Sequence, residues 1–144
     1  MGIERVKALG VHVVVLSGER NPVVAARCQK LGIACISGIP DKRAVLERVA
    51  DLADTAYMGN DLNDLECLKA VSFPILVADA EERLKSALDG KTEHGYFVTE
   101  RYGGEGAVRE VCDMIADAKE AIMPLVYAES GEQGPKSYVT DFSA

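Results

Sequence analysis

The sequence predicts an α/β fold in which helices cover both faces of a parallel sheet. Short apolar runs rich in β-branched residues alternate with segments whose apolar residues recur at helical spacing. The connections between them are short, as in βαβ units with right-handed crossovers. The chain has 144 residues, 48% of them hydrophobic, which fits one domain with its own core.

Each predicted strand is a short apolar run that ends at a turn. The strands are predicted over 11–16, 33–36, 55–58, 74–78 and 96–99. Helix starts are indicated by Asn21-Pro22 and by Asp41, which are typical capping residues. The predicted helices are 22–31, 42–53, a short one after Gly59, 81–88 and 107–123.

The residues after the last predicted helix have a different composition. Pro124 to Ala144 includes a stretch rich in Gly, Ser and Pro and has no helical period. The sequence therefore predicts a folded domain over 1–123 and a flexible tail over 124–144.

Composition argues against several classes of protein. The net charge is −7, from 16 Lys and Arg against 23 Asp and Glu, and aromatic residues make up 6%, so we expect no nucleic-acid partner. No apolar run approaches the roughly 20 residues that span a bilayer, and the N-terminus does not resemble a signal peptide. The four cysteines form no Cys-x-x-Cys pair, which favours reduced thiols in the cytoplasm.

Candidate functional residues are expected where the strands end, because ligands of open parallel sheets bind at the carboxyl edge. The stretch from Gly59 to Asp64 gathers two carboxylates and two carboxamides after a predicted strand. Oxygen ligands of this kind suit Mg²⁺. A helix cap with a solvated first turn is the alternative, since Asp and Asn favour both positions.

Two further side chains at this edge suit phosphate. Ser17 directly follows the first strand, and its hydroxyl could donate to a phosphoryl oxygen or merely close a turn. Lys42 stands at a helix start, where a cation opposes the helix dipole. That placement favours a charge clamp on phosphate, with a solvated surface lysine as the alternative.

The glycine-rich loop from Gly103 to Gly106 precedes the last predicted helix, and a helix N-terminus attracts anions. Neither a dinucleotide-binding fingerprint nor a P-loop fits the glycine spacing of the chain. Arg109, one turn into that helix, could reach the same site or pair with Glu105.

Together these pieces resemble the second, third and fourth motifs of the haloacid dehalogenase superfamily, over about residues 1–118 of the chain. The branch most similar is the capless Kdo 8-phosphate phosphatase type, which includes the phosphatase-like domain attached to acylneuraminate cytidylyltransferases. The stretches that carry the resemblance are Leu16–Pro22, Lys42, Tyr57–Leu68, Ala78–Ala80 and Gly103–Glu110.

The resemblance implies a Mg²⁺-dependent phosphatase that acts on a sugar-acid phosphate of the Kdo 8-phosphate or nonulosonate 9-phosphate type, assembled as a homotetramer. It implies catalytic roles for Ser17, which would hydrogen-bond the phosphoryl group, and Lys42, which would stabilise its charge. The implied metal ligands, direct or through water, are Asn60, Asp61 and Asp64. The implied substrate-binding residues are Gly18, Gly104, Gly106 and Arg109.

Two departures from the family pattern bear on activity. Asn60 stands where the phosphatases commonly have Asp. The family's Asp-x-Asp nucleophile motif, on the first and central strand, is absent. We therefore expect an N-terminally incomplete domain that lacks its first central strand and is inactive as it stands. The alternative is a non-catalytic oligomerisation or regulatory domain associated with an acylneuraminate cytidylyltransferase.

Overall fold

The computed structural model describes residues 2–92, 95–129 and 137–140, with side chains described through Lys119. Six α-helices and six strands are present in these residues. The helices are α1 (Gly2–Ala8), α2 (Pro22–Leu31), α3 (Lys42–Val49), α4 (Leu65–Ala70), α5 (Glu82–Leu88) and α6 (Ala107–Glu129). The strands are β1 (His12–Leu16), β2 (Ala34–Ile36), β3 (Thr55–Gly59), β4 (Phe73–Leu76), β5 (Phe97–Val98) and β6 (Ser137–Thr140).

The strands form one sheet in the order β2-β1-β6-β3-β4-β5, and every neighbouring pair is parallel. When crossovers are right-handed, a helix that connects a strand to a neighbour on one side packs on one face of the sheet. A helix that connects toward the other side packs on the opposite face. The helix contacts agree with this, because α1 packs on α6 while α4 packs on α3 and α5. The predicted α/β class with a parallel sheet is confirmed.

The centre of the sheet holds a strand from the end of the chain. β6 lies between β1 and β3, and Val139 is level with both Val14 and Tyr57. Because the family's first strand is absent, the centre of the sheet was expected to be open. β6 occupies that position. Two unpaired interior edges would be costly, and β6 satisfies both of them.

Three expectations from the sequence need correction. The tail predicted over 124–144 is wrong at two places. α6 continues past Pro124 to Glu129, and residues 137–140 form β6. The rest of that segment lies outside the described residues. The helix that starts at Lys42 ends at Val49 rather than 53, because Asp51 opens a separate 3₁₀ turn over Leu52–Asp54. α1 has no counterpart among the predicted elements.

The core lies between the sheet and its helices. Helix and strand leucines meet there with little or no exposure, and the fully buried members include Leu16, Leu46, Leu68, Leu76, Leu84 and Leu88. α1 is tied to α6 by Arg5, which reaches Asp113 and Asp117 at 3.4 and 2.8 Å. Within the described ranges, no helix has the length and apolar character needed to cross a membrane.

Candidate active site

The turns that follow β1 and β3 meet at the carboxyl edge of the sheet, beside the start of α3. A methyl group on Gly18 would lie 3.7 Å from Asn63 Nδ2 and 3.9 Å from Lys42 Cε. The turn after β1, the side chain of Lys42 and the Gly59–Asp64 stretch are thereby brought together. Three separate sequence segments thus form a single polar cluster, as the strand ends predicted.

Several donors of this cluster converge on Asp64, whose side chain is fully buried. Its Oδ1 accepts from Lys42 Nζ at 3.2 Å and from the Tyr57 hydroxyl at 2.6 Å. Its Oδ2 accepts from the backbone N–H groups of Asn60 and Asp61 at 3.0 and 3.2 Å. A carboxylate offers about four lone-pair sites, so these donors use most of its capacity.

The loop after β3 takes this shape for local reasons. Asp61 caps the 3₁₀ turn Leu62–Asp64, and the Asp64 carboxylate accepts from the Asp61 backbone N–H, which completes a capping box. Gly59 is required because a Cβ there would lie 2.7 Å from Asp64 Cβ. The helix cap that the sequence offered as the alternative to a metal site is therefore present, and its residues belong to the same cluster.

Lys42 is buried rather than solvated, since its side chain is only 2% exposed. Asp41 caps α3 by accepting from the Ala44 N–H at 3.2 Å, which sets Lys42 at the first helical position. A buried ammonium at a helix start is costly without a partner, and Asp64 supplies that partner. This favours a clamp role for Lys42 over a surface role.

Ser17 is buried at the end of β1 with its hydroxyl in a local turn. Its Oγ donates to the Glu19 carbonyl at 2.8 Å and accepts from the Glu19 N–H at 3.3 Å. The backbone of Ser17 bonds to Ile36 and Ile39, which joins the turns after β1 and β2. The described contacts of the Ser17 hydroxyl are thus those of a turn, the alternative to a phosphate contact that the sequence left open.

A second pair of turns lies beside the cluster. The Glu81 N–H donates to the Asn60 carbonyl at 3.0 Å, and the Gly103 N–H donates to Asp79 Oδ1 at 2.9 Å. Gly104 and Gly106 have φ of +76° and +105°, which favours glycine. The turn between β4 and α5 thus links the glycine loop to the Asn60 backbone.

Arg109 is not brought to the cluster by its described contacts. Its Nε lies 2.9 Å from Asp113 Oδ2, one turn further along α6. Its aliphatic stem passes close to Gly2, where a Cβ would meet Arg109 Cδ at 2.9 Å. The surface pairing considered for Arg109 is therefore made, with Asp113 in place of Glu105.

The part of the cluster around Asn60 has features that suit a divalent metal. Asn60 Oδ1 is buried and has no hydrogen-bond partner among the described residues, which suits an oxygen ligand. Asp61 is exposed beside it, and its Oδ1 accepts from the Leu62 N–H at 2.7 Å. In the described part of the chain, no three His, Cys, Asp or Glu side chains form a metal-holding group. Asn60 and Asp61 fit Mg²⁺ as part of a ligand set.

Comparison with known proteins decides the family. The Kdo 8-phosphate phosphatase KdsC of Escherichia coli K12 is 32% identical over 120 residues, which cover 79% of this chain and 60% of that protein. The solved cobalt-bound form of the Haemophilus influenzae phosphatase is 32% identical with a TM-score of 0.68, covering 84% of this chain and 71% of that one. This chain belongs to the haloacid dehalogenase superfamily, in its Kdo 8-phosphate phosphatase-like branch.

A second solved haloacid dehalogenase structure carries ligands. The Moraxella catarrhalis Kdo 8-phosphate phosphatase, in complex with magnesium, phosphate and Kdo, has a TM-score of 0.72 at 28% identity over 88% of this chain and 72% of that one. The chain spans less than two thirds of the length of the curated relatives it matches, 60% for the Escherichia coli phosphatase. Comparison with profiles of known families gives no match.

The cluster includes one residue that its sequence pattern did not indicate. Tyr57 is fully buried on β3, and its hydroxyl donates the shortest of the bonds described for Asp64. The available signal was a tyrosine within an apolar strand, because a buried hydroxyl requires a partner. The nearby thiol of Cys67 stays protonated, since burial raises its pKa to about 12, although the neighbouring Tyr57 hydroxyl acts to lower it.

Proposed function

We propose that this chain carries the phosphate- and Mg²⁺-binding part of a phosphomonoesterase site that acts on a sugar-acid phosphate of the Kdo 8-phosphate or nonulosonate 9-phosphate type. The observation that carries the proposal is the buried Lys42, held by Asp64 at the edge where the turns after β1 and β3 meet. The family membership and the relatives' named substrate support it.

Each residue has a defined part in binding. The Ser17 hydroxyl and the backbone next to Gly18 hold a phosphoryl oxygen, while Lys42 balances its negative charge. Asp64 is a positioning residue that holds both Lys42 and the Asn60-Asp61 backbone. Mg²⁺, held by Asn60 and Asp61, supplies charge neutralisation when bound. The loop with Gly104 and Gly106 bounds the substrate entrance.

Binding tests this proposal without requiring a nucleophile. Titration calorimetry of the purified chain with inorganic phosphate is compared in Mg²⁺ and in EDTA. We expect phosphate binding that depends on Mg²⁺ and is weakened at least about tenfold, or 1.4 kcal/mol, by Lys42→Met. The Lys42→Met/Asp64→Asn double variant removes both buried charges and is measured alongside, so that loss of binding is separated from loss of folding.

The matched control is Lys69→Met, because Lys69 forms an exposed pair with Glu66 on α4. Phosphate binding that is unchanged by Lys42→Met, or that does not need Mg²⁺, contradicts the proposal. The relatives described above lend no support to the alternative of a non-catalytic module attached to a cytidylyltransferase. The homotetramer remains a prediction.

A further inference from the structure

Two of the four cysteines lie on consecutive elements at one edge of the sheet. Cys28 is in the last turn of α2 and is buried, with 2% of its surface exposed. Cys35 is the middle residue of the edge strand β2 and is half-buried. Both are free thiols in the structure. Their side chains can meet only if Cys35 points to the face of the sheet that α2 covers.

The register places Cys35 on that face. Cys35 is level with Val15 of β1, and Val13 of the same strand lines an apolar cavity together with residues of α1 and α6. Residues two apart on a strand share a face, so Cys35 points to the side of α1 and α6. α2 lies on this side as well, because Lys7 Nζ of α1 donates to the Gly32 carbonyl at the end of α2, at 2.8 Å.

The turn between α2 and β2 brings the two thiols together. The Cys28 carbonyl accepts from the Ile33 N–H at 3.0 Å, so the chain folds back against the last turn of α2. Gly32 allows this turn with a φ of +69°. Burial and the adjacent Cys35 thiol raise the pKa of the Cys28 thiol to about 11. The two thiols are thus neighbours, and Cys35 Sγ also lies 3.6 Å from Ser37 Oγ.

The other two cysteines lack this arrangement. Cys67 and Cys112 are buried, and the groups that shift their pKa values include no second cysteine. Packing in the core accounts for both of them. Cys28 and Cys35 differ, because a disulfide requires two adjacent thiols, and its formation by exchange requires that one of them be reachable from solvent. The half-buried Cys35 supplies the reachable thiol.

We propose that Cys28 and Cys35 form a reversible disulfide by exchange with a low-molecular-weight disulfide, and that this bond anchors β2 to α2. The Cys35 thiolate attacks one sulfur of the small disulfide, which gives a mixed disulfide and releases one small thiol. The Cys28 thiolate then attacks the Cys35 sulfur and releases the second small thiol. Two protein thiols are oxidised, one small disulfide is reduced, and the two thiol protons pass to the released thiolates.

The anchored strand borders the proposed phosphate site, although the disulfide does not depend on the proposed function. β2 has three residues and lies at the edge of the sheet, where short strands open easily. The Ser17 N–H donates to the Ile36 carbonyl at 2.9 Å, so the end of β2 is joined to the turn after β1. A bond from Cys35 to α2 therefore holds a strand on which that turn depends.

Bond formation is tested by incubating the folded, reduced chain with glutathione disulfide and glutathione, followed by peptide mapping with mass spectrometry. We expect a Cys28–Cys35 bond, seen as the loss of two hydrogen atoms, that dithiothreitol reverses. Cys35→Ser should abolish the bond, and Cys28→Ala should stop at the mixed disulfide of Cys35 with glutathione. The matched control is Cys112→Ala, which removes a buried thiol without a cysteine neighbour and should form the bond as the unmodified chain does.

The anchoring is tested by hydrogen–deuterium exchange of the oxidised and reduced forms. The amides of β2 should exchange more slowly in the oxidised form, while those of β5, the strand at the other edge, should be unchanged. Three results overturn the proposal. They are a Cys35 that remains a mixed disulfide in the unmodified chain, a Cys28–Cys35 bond that forms only in urea, and equal exchange of β2 in the two forms.

Discussion

Lys42 Nζ lies 3.2 Å from Asp64 Oδ1, and the two side chains are 2% and 0% exposed. This buried pair joins the start of α3 to the loop after β3, and both elements border the proposed phosphate site. A charge buried at such a place is stabilised chiefly by its partner, so each residue depends on the other.

Breaking the pair should therefore destabilise the fold more than removing it. We expect Asp64→Asn or Lys42→Met to lower the free energy of unfolding by about 3 kcal/mol, since each leaves an uncompensated charge. The double variant should cost clearly less than the sum of the two. Urea unfolding in a double-mutant cycle measures this, and strict additivity would contradict the buried pairing.

The hydroxyl of Tyr57 should contribute measurably to the same cluster. Tyr57→Phe removes a 2.6 Å bond to a buried carboxylate and should cost about 1.5–3 kcal/mol in unfolding free energy. The matched control is Tyr96→Phe, which removes a 3.0 Å bond to Asp89 at the surface and should cost at most about 0.5 kcal/mol. Equal losses of unfolding free energy in the two variants would show that the buried bond to Asp64 stabilises the fold no more than the surface bond to Asp89.

Two glycines next to the site should respond differently to alanine. At Gly59 the new Cβ would lie 2.7 Å from Asp64 Cβ, and Asp64 is held in place by four donors, so we expect a loss of about 1–3 kcal/mol. At Gly18 the nearest atoms are 3.7 Å away, an ordinary contact. Thermal unfolding of both variants tests this, and a Gly59→Ala protein as stable as Gly18→Ala would contradict the crowding.

Three of the thiols should be slow to alkylate in the folded protein. Burial raises the pKa of Cys28 and Cys112 to about 11 and that of Cys67 to about 12. The protonated thiols stabilise the fold below the ordinary pKa of 9.0, and this contribution is lost as pH rises through 11–12.

Iodoacetamide labelling followed by mass spectrometry at increasing pH measures this. Below pH 9.0, Cys28, Cys67 and Cys112 should label slowly in the native protein and rapidly in urea. Rapid native labelling of Cys67 at neutral pH would show that it is not buried as described.

Much of the fold could be predicted because local pattern and tertiary structure agree. Five strands and most helices follow from apolar periodicity and from caps such as Asn21 and Asp41, whose side chains do accept the expected backbone bonds. α1 and the end of α3 could not be predicted in this way. α1 depends on its contact with α6, and α3 ends where the chain must turn toward β3.

The α/β class, the family and the turns that gather the polar residues can be read from the amino-acid sequence, because strand ends and caps are encoded by near neighbours. Three features depend on packing between distant segments: Lys42 is buried against Asp64, Tyr57 donates to Asp64, and Arg109 pairs with Asp113 instead of joining the cluster. The position of Ser137–Thr140 at the centre of the sheet depends on such packing as well. Strand pairing between distant segments satisfies backbone groups that no local pattern records.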